Sequence, residues 1–416
     1  MKKLHFIFYP VLLILFSMLP VLSIHADDWG LRFNQTLGAD GMAGESSDIN
    51  IPYSGTVFVW LSAYFGQPEN NTGKLYFSSG MTSEYADKNV FLVPELLRTE
   101  LTLRIGSNNE LKFGRIPYTD PLGFIVSGLF DGTQISLVLN NNTISAGIWY
   151  TGLLYKKNAN ITMTSDDLAS YYKKLDYENF WDTYWAPRRI LLAFDWSNPY
   201  LAPWLRLNAS LIGQFDLSGS NNFCHSQYLA FKAGMPLGSF IFDLGGCFEL
   251  AQTSDKLKIS LAGELGIAWM LPTPVRDRLQ LTCRLTNAAI PDDLFTAFIP
   301  ITTISQGTVL QAKFSGLSMF SLDYTARLHE VFSINLAGAY FIASDYDTYR
   351  GYPKNPSGGR DGNLLGSEFS GRLVWSPFSD LQLNLGGGIF MPSLGNTGSK
   401  NGALWRANIN MALSIF

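Results

Sequence analysis

Residues 257–269 read LKISLAGELGIAW, and this stretch decides the fold class. Its odd-numbered positions are apolar, aromatic or glycine, whereas its even-numbered positions include Lys258, Ser260 and Glu264. Successive side chains of a β-strand point to opposite faces of the sheet, so the alternation predicts a strand with one apolar and one wetted face. The same period of two recurs at residues 101–105, 205–211 and 279–285.

The connections between these strands alternate in length. Short turns containing Gly, Asn or Pro are predicted at residues 106–109, 140–142, 234–238, 272–277, 329–330 and 377–380. Longer polar or aromatic stretches lie between them, at residues 38–54, 116–131, 152–188, 216–226, 286–306, 342–367 and 391–403. Short turns at one end and long loops at the other are typical of an up-and-down barrel in an outer membrane.

The strand count follows from both ends of the chain. Counting from Leu31 gives thirteen strands through Leu285, and counting back from Phe416 gives five more. Residues 307–314 are assigned to a long loop or to an extension of the next strand, because a separate barrel strand there would invert every later loop. The prediction is an all-β fold, a transmembrane antiparallel up-and-down β-barrel of about 18 strands, with 16 as the alternative count.

Composition supports this class. The chain has 416 residues, of which 47% are hydrophobic, 14% aromatic and 15% charged, against about 25% charged in soluble proteins. Such apolar content excludes disorder, and a net charge of -4 excludes a basic surface for nucleic acid. The cysteines Cys224, Cys247 and Cys283 are odd in number and widely spaced, so we predict no disulfide framework and no zinc site. No motif for another metal or for a cofactor is present, so we expect neither.

Seven tryptophans fall at or near predicted strand ends, where the aromatic girdles of a membrane barrel lie. They are Trp60, Trp149, Trp196, Trp204, Trp269, Trp375 and Trp405. The alternative is a secreted β-sandwich or propeller, in which the apolar face would be a packed core.

The amino terminus predicts export. Lys2 and Lys3 precede an apolar stretch that ends in Ser-Ile-His-Ala, the order of a secretory signal peptide cut after Ala26; an uncleaved anchor is the alternative. We therefore expect a signal peptide at residues 1–26 and one barrel domain with long extracellular loops at residues 27–416. Such a chain would contact membrane lipids and the outer-membrane insertion machinery, and its oligomeric state stays open.

A further segment reads FGRIPYTDPLG at residues 113–123 and is followed by LFDG at residues 129–132. With the signal peptide, the alternating strands and a terminal strand ending in Phe416, the chain resembles a Gram-negative-type outer-membrane porin. The Gly-Arg to Asp-Gly segment is similar to one in sugar porins of the alginate-export kind. The resemblance implies a diffusion channel for small solutes. One departure is that Phe416 falls on the polar side of the last strand's alternation.

The inward face of such a barrel would select the solute, because charged rings in a pore select ions and Arg or Lys favour anions. Basic residues outnumber acids on that face. The predicted pore-lining or solute-binding residues are Arg104, Lys112, Arg115, Arg206, Arg284, Arg327, Arg372 and Arg406. The alternative is that these residues pair with inward acids across strands, and that Arg115 anchors the following loop onto Asp120 or Asp131.

The stretch at 152–188 is rich in Tyr and Trp, and long loops with their own composition are usually functional. Folded inward, it would narrow the pore, with Tyr177, Trp181 and Trp185 as the constriction. Folded outward, it would form a surface for contact with a partner.

The sequence therefore favours an outer-membrane porin, a passive diffusion channel for anionic or sugar-like small solutes. The alternative is a surface-exposed adhesin or structural barrel with a closed lumen. An enzyme is not expected, since no catalytic motif is present. A loop-borne hydrolase using His225 beside Ser226 is the weakest hypothesis, because adjacent residues rarely face each other productively.

Overall fold

The computed structural model describes residues 24–43, 49–65, 72–86, 89–106, 108–253, 256–290, 294–345, 363–395 and 402–415. Eighteen strands form one sheet in which sequence neighbours pair antiparallel, and the first strand also pairs with the last. The sheet is therefore a closed barrel. The predicted fold class and the count of 18 strands are confirmed.

The barrel strands are β1 Ile24–Met42, β2 Tyr53–Phe65, β3 Gly73–Ala86, β4 Asn89–Ile105, β5 Asn109–Thr119, β6 Ser127–Leu139, β7 Asn142–Tyr150, β8 Arg189–Ala202, β9 Leu205–Asp216, β10 Cys224–Leu237, β11 Phe240–Thr253, β12 Leu257–Met270, β13 Arg278–Thr286, β16 Leu317–His329, β17 Phe332–Ala343, β18 Leu364–Phe378, β19 Leu381–Met391 and β20 Leu404–Ile415. Two further strands, β14 Ser305–Gln306 and β15 Ala312–Lys313, pair only with each other. This two-residue hairpin lies within the loop after β13, so residues 307–314 add no strand to the barrel, as predicted.

The connections separate into a turn end and a loop end. Both described ends of the barrel chain, at Ile24 and Ile415, lie at the turn end. The loop between β5 and β6 is only residues 120–126, shorter than the predicted 116–131, because both strands extend to pair Thr119 with Ser127. Residues 1–23 of the predicted signal peptide lie outside the described residues, and so does Phe416.

Three short helices lie in the loop that follows β7. They are α1 Lys156–Ala159, α2 Ser165–Tyr172 and α3 Phe180–Thr183. Thr164 caps α2, since its hydroxyl accepts the amide of Asp167 at 3.1 Å. Among the described residues, no helix is long and apolar enough to cross a membrane.

The two faces of the wall follow the alternation seen in the sequence. On β12, Leu261 and Leu265 are exposed on the outer surface, whereas Ser260, Ala262 and Glu264 are buried inside. Exposed leucines and phenylalanines recur around the barrel on the outer face. A closed wall with an apolar outside and a polar inside is the arrangement that a hydrocarbon surrounding requires, because a closed sheet has strand neighbours all the way round.

Two of the expected girdle tryptophans lie inside the barrel. Trp149 is 1% exposed and stacks on Tyr118 with ring centroids 4.5 Å apart. Trp60 pairs with Gly30, on the same inward face as Arg32. The girdle prediction was wrong for these two, because position near a strand end does not determine which face a side chain occupies. Trp196, Trp269, Trp375 and Trp405 have the outward parity of their strands.

Candidate pore and constriction

Three loops fold into the barrel from the loop end and bind one another. They follow β5, β7 and β13, and the segments that fold inward are residues 120–126, 156–163 and 298–316. Ile125 O accepts the amides of Ile301 at 2.8 Å and Thr302 at 3.2 Å, and Asn160 O accepts the amide of Thr303 at 2.8 Å. The loops therefore form one internal body rather than separate surface loops.

An apolar cluster fixes this body in the lumen. Phe124, Phe298 and Phe314 are fully buried, with ring centroids 4.7 to 6.0 Å apart. Leu122 reaches Gly245 on β11, where a Cβ would lie 2.4 Å from its Cδ2. A loop that starts between β5 and β6 thus crosses the lumen to a distant wall.

The internal body lies against one side of the barrel. Large inward side chains on β8 to β11, including Arg189, Gln214, Tyr228 and Glu249, are fully buried. Inward side chains on β20 and on β1 to β3, including Arg406, Asn408, Arg32 and Trp60, stay partly exposed. The open part of the lumen therefore runs along the β20–β1–β3 wall, and the internal body narrows it from the opposite side.

Glu368 on β18 anchors the loop at 287–316 across the lumen. Its Oε1 accepts the amide of Thr308 at 2.5 Å, and its Oε2 accepts the amides of Val309 at 3.0 Å and Leu310 at 2.9 Å. On the opposite side of the loop, Gln306 Oε1 accepts from Arg284 at 2.9 Å. Since Arg284 belongs to β13 and Glu368 to β18, this segment spans part of the lumen.

Asp120 organises the loop between β5 and β6. Its carboxylate accepts the amides of Leu122, Gly123, Ile125 and Val126 at 2.8 to 2.9 Å. Burial raises the pKa of the Asp120 carboxyl, and these four hydrogen bonds act in the opposite direction. The Asp-Pro-x-Gly sequence at 120–123 carried a turn signal, but it did not show that the turn would point into the lumen.

A buried ion pair anchors the longest loop. Arg189 on β8 is fully buried, and its Nη2 lies 2.5 Å from Asp167 Oδ2 and 3.1 Å from Asp216 Oδ2. Asp167 belongs to α2, so the ion pair ties the helical loop to the wall. Arg189 has the inward parity of its strand, and its role here is structural.

Some of the predicted pore-lining residues are paired with acids. Arg284 donates to Glu264 at 2.7 Å, and Lys232 lies 3.1 Å from the other oxygen of the same carboxylate. Lys112 lies 3.8 Å from Glu100 and 3.7 Å from Glu110. Lys112 and Arg284 thus pair with acids on neighbouring strands, and their side chains are also partly exposed to the lumen.

Arg115 is held by protein on all sides. It is 8% exposed, and it donates two hydrogen bonds to Asp131, at 2.9 and 2.8 Å. Its remaining bonds go to the carbonyls of Leu96 and Leu153. The structure favours the anchoring role that the sequence left open, with Asp131 as the partner and the loop that begins at Thr151 as the anchored segment.

Five predicted residues make no ion pair with any acid in the described part of the chain. They are Arg104, Arg206, Arg327, Arg372 and Arg406. Arg406 Nη1 lies 3.4 Å from Thr308 O, beside the crossing loop. Arg372 lies on the same inward face as Glu368, four residues closer to the turn end, and the other three lie near the turn end. Basic side chains thus continue from the constriction to the turn-end opening.

The aromatic residues of the longest loop cover a free strand edge. Pairing between β4 and β5 stops at Thr99 and Arg115. The backbone of β4 before Thr99, towards the loop end, therefore has no strand partner on the β5 side. The hydroxyl of Tyr177 donates to Leu92 O at 3.0 Å and accepts its amide at 2.8 Å. Tyr184 donates to Pro94 O at 2.8 Å, so side chains replace the missing ladder.

The predicted constriction residues lie beside this edge. Tyr177 is 55% exposed and Trp181 is 73% exposed. Trp181 stacks on Trp185 with ring centroids 5.6 Å apart. The segment that reaches the internal body is instead residues 156–163, so the loop has an inner part and an outer aromatic part.

His225 and Ser226 lie on opposite faces of β10. Ser226 is fully buried and donates to Gln214 Oε1 at 3.1 Å, whereas His225 Nδ1 accepts the amide of Asp216 at 2.9 Å. These two side chains do not meet, so the hydrolase hypothesis has no catalytic pair here.

A closed antiparallel barrel with an apolar outer face and loops folded into its lumen is the architecture of an outer-membrane porin. Several solved structures share this fold with the chain. Pseudomonas aeruginosa OccK2 (OpdF) in complex with glucuronate aligns with a TM-score of 0.61 and 14% identity, covering 93% of this chain and 98% of that chain.

Two further Pseudomonas aeruginosa structures agree. OpdO gives a TM-score of 0.59 and 11% identity over 93% of this chain and 96% of that chain. The outer membrane protein OpdK gives 0.57 and 10% over 93% and 99%. No protein-family model and no curated protein sequence matches the chain. The expected porin resemblance is confirmed at the level of the fold.

Proposed function

We propose that this protein is an outer-membrane diffusion channel selective for small anionic or sugar-like solutes. The observation that supports this best is the charge arrangement inside the barrel. Arg104, Arg206, Arg327, Arg372 and Arg406 make no ion pair with a described acid. Several inward acids are instead buried, and they hold loop amides or wall cations.

The mechanism is passive. A solute enters from the loop end and passes between the crossing loop and the β20–β1 wall, where Arg406 lies beside Thr308. It then meets Arg372 and the arginines near the turn end. Each guanidinium can offer paired donors to a carboxylate, and a lumen lined by such groups favours anions.

The sugar-like part of the proposal draws on the neighbouring fold. The OccK2 structure is in complex with glucuronate, a sugar that carries one carboxylate. Such a solute is both anionic and sugar-like, the two solute properties that the sequence suggested. Lys112 and Arg284 remain candidates for solute contact, because their side chains are 29% and 28% exposed despite their acidic partners. The function requires no catalysis and no cofactor.

The same proposal includes the location of the protein in the outer membrane and its orientation there. Residues 1–26 act as a signal peptide, the outer-membrane insertion machinery places the barrel, and membrane lipids surround its apolar outer face. The loop end faces the outside of the cell. Tyr177, Trp181 and Trp185 then lie at the entrance, where exposed rings provide a first contact for solutes before the constriction.

Single-channel recording of the refolded protein in a planar bilayer tests the proposal. We expect stable conductance and a reversal potential in a salt gradient that shows preference for the anion. Replacing Arg372 and Arg406 with Glu should shift that reversal potential toward cation preference. Arg188→Glu is the matched control, because Arg188 is an exposed loop residue that bonds to Ser218 O at 3.4 Å.

A folded barrel without conductance would refute the channel and favour a surface protein with a closed lumen. Conductance with an unchanged reversal potential in the double variant would refute the role of these arginines in selectivity.

A further inference from the structure

The outer face of β10 to β13 contains a hollow with a volume of about 540 Å³. One row of this face runs across the four strands in register, and its residues are Phe231, Gly246, Gly263 and Leu285. The two central positions of the row have no side chain. The next row towards the loop end carries the exposed side chains of Phe248 and Leu261, so the hollow has apolar walls around a bare centre.

The two glycines at the centre have different surroundings. The ring of Phe231 lies over Gly246, where a Cβ would come within 2.7 Å of Cε1 and Cζ. At Gly263, a Cβ would have only Gly245 O within 4 Å, at 3.5 Å. The space above Gly263 is therefore open, and the ring of Phe231 borders it on one side.

The polar side chains that line the hollow are engaged with the backbone of the protein. Asn287 Oδ1 accepts the amide of Leu261 at 2.7 Å, and its Nδ2 donates to Thr296 O at 2.7 Å. Thr286 Oγ1 accepts the amide of Leu317 at 2.7 Å and donates to its carbonyl oxygen at 3.0 Å. What remains for a ligand is an apolar surface, which fits a ligand without polar atoms.

The hollow lies at the height of the hydrocarbon. Gly263 is near the middle of β12, which extends from Leu257 to Met270. Exposed apolar side chains continue from it in both directions, with Leu261 on one side and Leu265 on the other. The apolar band of an outer-membrane barrel is about 25 Å tall, so the middle of a 14-residue strand faces hydrocarbon.

The shape of the hollow favours a lipid chain over a second copy of the protein. A two-fold pair of barrels would place the same patch opposite itself, so one hollow would face the other and both would stay unfilled. Atoms that line an unfilled space lose their van der Waals contacts on that side. A flexible hydrocarbon chain follows the surface and restores these contacts.

We propose that this hollow is a binding site for one acyl chain of a membrane lipid. The chain lies across Gly263, between the ring of Phe231 and the side chain of Leu285, and Phe248 and Leu261 border it towards the loop end. It completes the outer surface of the wall next to the point where the pairing of β12 with β13 ends, at Ala262 and Thr286. The site goes beyond the proposed channel function and does not depend on it.

The test uses protein refolded in dioleoylphosphatidylcholine vesicles that contain some phosphatidylcholine with a diazirine near the methyl end of one chain. After illumination, mass spectrometry of peptides measures the lipid attached to residues 257–270. Gly263→Leu fills the hollow with an apolar side chain. We expect it to lower this label about fivefold, because a chain in the hollow gains only van der Waals contacts over bulk lipid.

Gly338→Leu is the matched control and should leave the label on residues 257–270 unchanged. Gly338 lies on the outer face of β17, between the exposed Leu322 and Phe369, and its nearest atom to an added Cβ is at 3.7 Å. Should Gly263→Leu fail to fold, Leu285→Trp narrows the hollow from its other side, and the same loss of label is expected from it.

Equal label in the unaltered protein and in folded Gly263→Leu would refute the site. A second copy would be the occupant if residues 257–270 stay unlabelled in the unaltered protein while it forms a dimer or trimer that Gly263→Leu dissociates, and this result would also overturn the proposal. Conductance is no part of the measurement, so failure of the channel proposal would leave this result unaffected.

Discussion

Replacing Glu368 with Ala should release the loop that crosses the lumen. The carboxylate of Glu368 accepts three backbone amides, from residues 308–310, at 2.5 to 3.0 Å. Hydrogen bonds to a charged group contribute about 1.5–3 kcal/mol each. Since bonds to one carboxylate are not additive, we take about 4 kcal/mol for the set, and every 1.4 kcal/mol or so is tenfold in an equilibrium constant. The undocked fraction of the loop should therefore rise about a thousandfold.

Single-channel recording in a planar bilayer measures this release. Glu368→Ala should show frequent transitions to a larger conductance, because the displaced loop no longer narrows the lumen. Glu368→Gln keeps an acceptor oxygen without the charge, so its transitions should be rarer than those of the Ala variant. Asp323→Asn is the matched control, since this inward acid on β16 accepts only Ser321 Oγ among the described residues, at 3.0 Å.

A Glu368→Ala channel with the conductance and current noise of the unaltered protein would refute the reasoning. Either Glu368 would then not hold the loop, or the loop would not narrow the path. Val309 and Leu310 are buried as well, so apolar packing keeps the loop near its place and the expected signal is fluctuation rather than permanent opening.

Three further predictions concern folding and loop docking. Arg189→Ala should lower the free energy of unfolding by about 3–5 kcal/mol, measured by urea titration in detergent, because the buried carboxylate of Asp167 loses its partner. Burial and neighbouring lysines lower the pKa of Lys156 from 10.5 to about 8. Between these two pH values the undocked loop binds more protons than the docked loop, so docking becomes more stable as the pH rises. Protection of residues 151–188 from protease should therefore increase from pH 8 to 9.5, and Lys156→Met should remove that increase. Gly114→Ala should reduce the yield of folded barrel on gels, because Gly114 has a φ of 108° and a Cβ there would lie 2.1 Å from a carbonyl oxygen. Gly263→Ala, with its nearest atom at 3.5 Å, should fold normally.

Much of the wall could be predicted from the sequence because a strand alternates its side chains with a period of two. Residues 257–269 show this clearly, and the structure places Leu261 and Leu265 outside and Glu264 inside as the alternation requires. The alternation of short turns with long loops gave the strand count, including the exclusion of residues 307–314 from the barrel. The inward parity of Arg372 and Arg406 follows from the same rule.

Placement across the lumen could not be predicted in the same way. Arg189 and Arg372 are both inward arginines in the sequence, yet one is fully buried against α2 and the other is exposed. The difference arises from loops that pack on one wall and leave the opposite wall open. No local pattern encodes which wall a loop meets, since Glu368 and the amides that it holds are about 60 residues apart along the chain.

The sequence by itself determined the closed barrel, its apolar outer face and its basic inner face, because these depend on the two-residue period of a strand and on the lengths of its connections. Only the tertiary structure decided where the lumen narrows, that Arg115 donates hydrogen bonds to Asp131 of the barrel wall, and that Trp60 faces inward beside Tyr76. These facts depend on contacts between segments far apart in the chain, and they form only when the barrel closes and the loops fold into it.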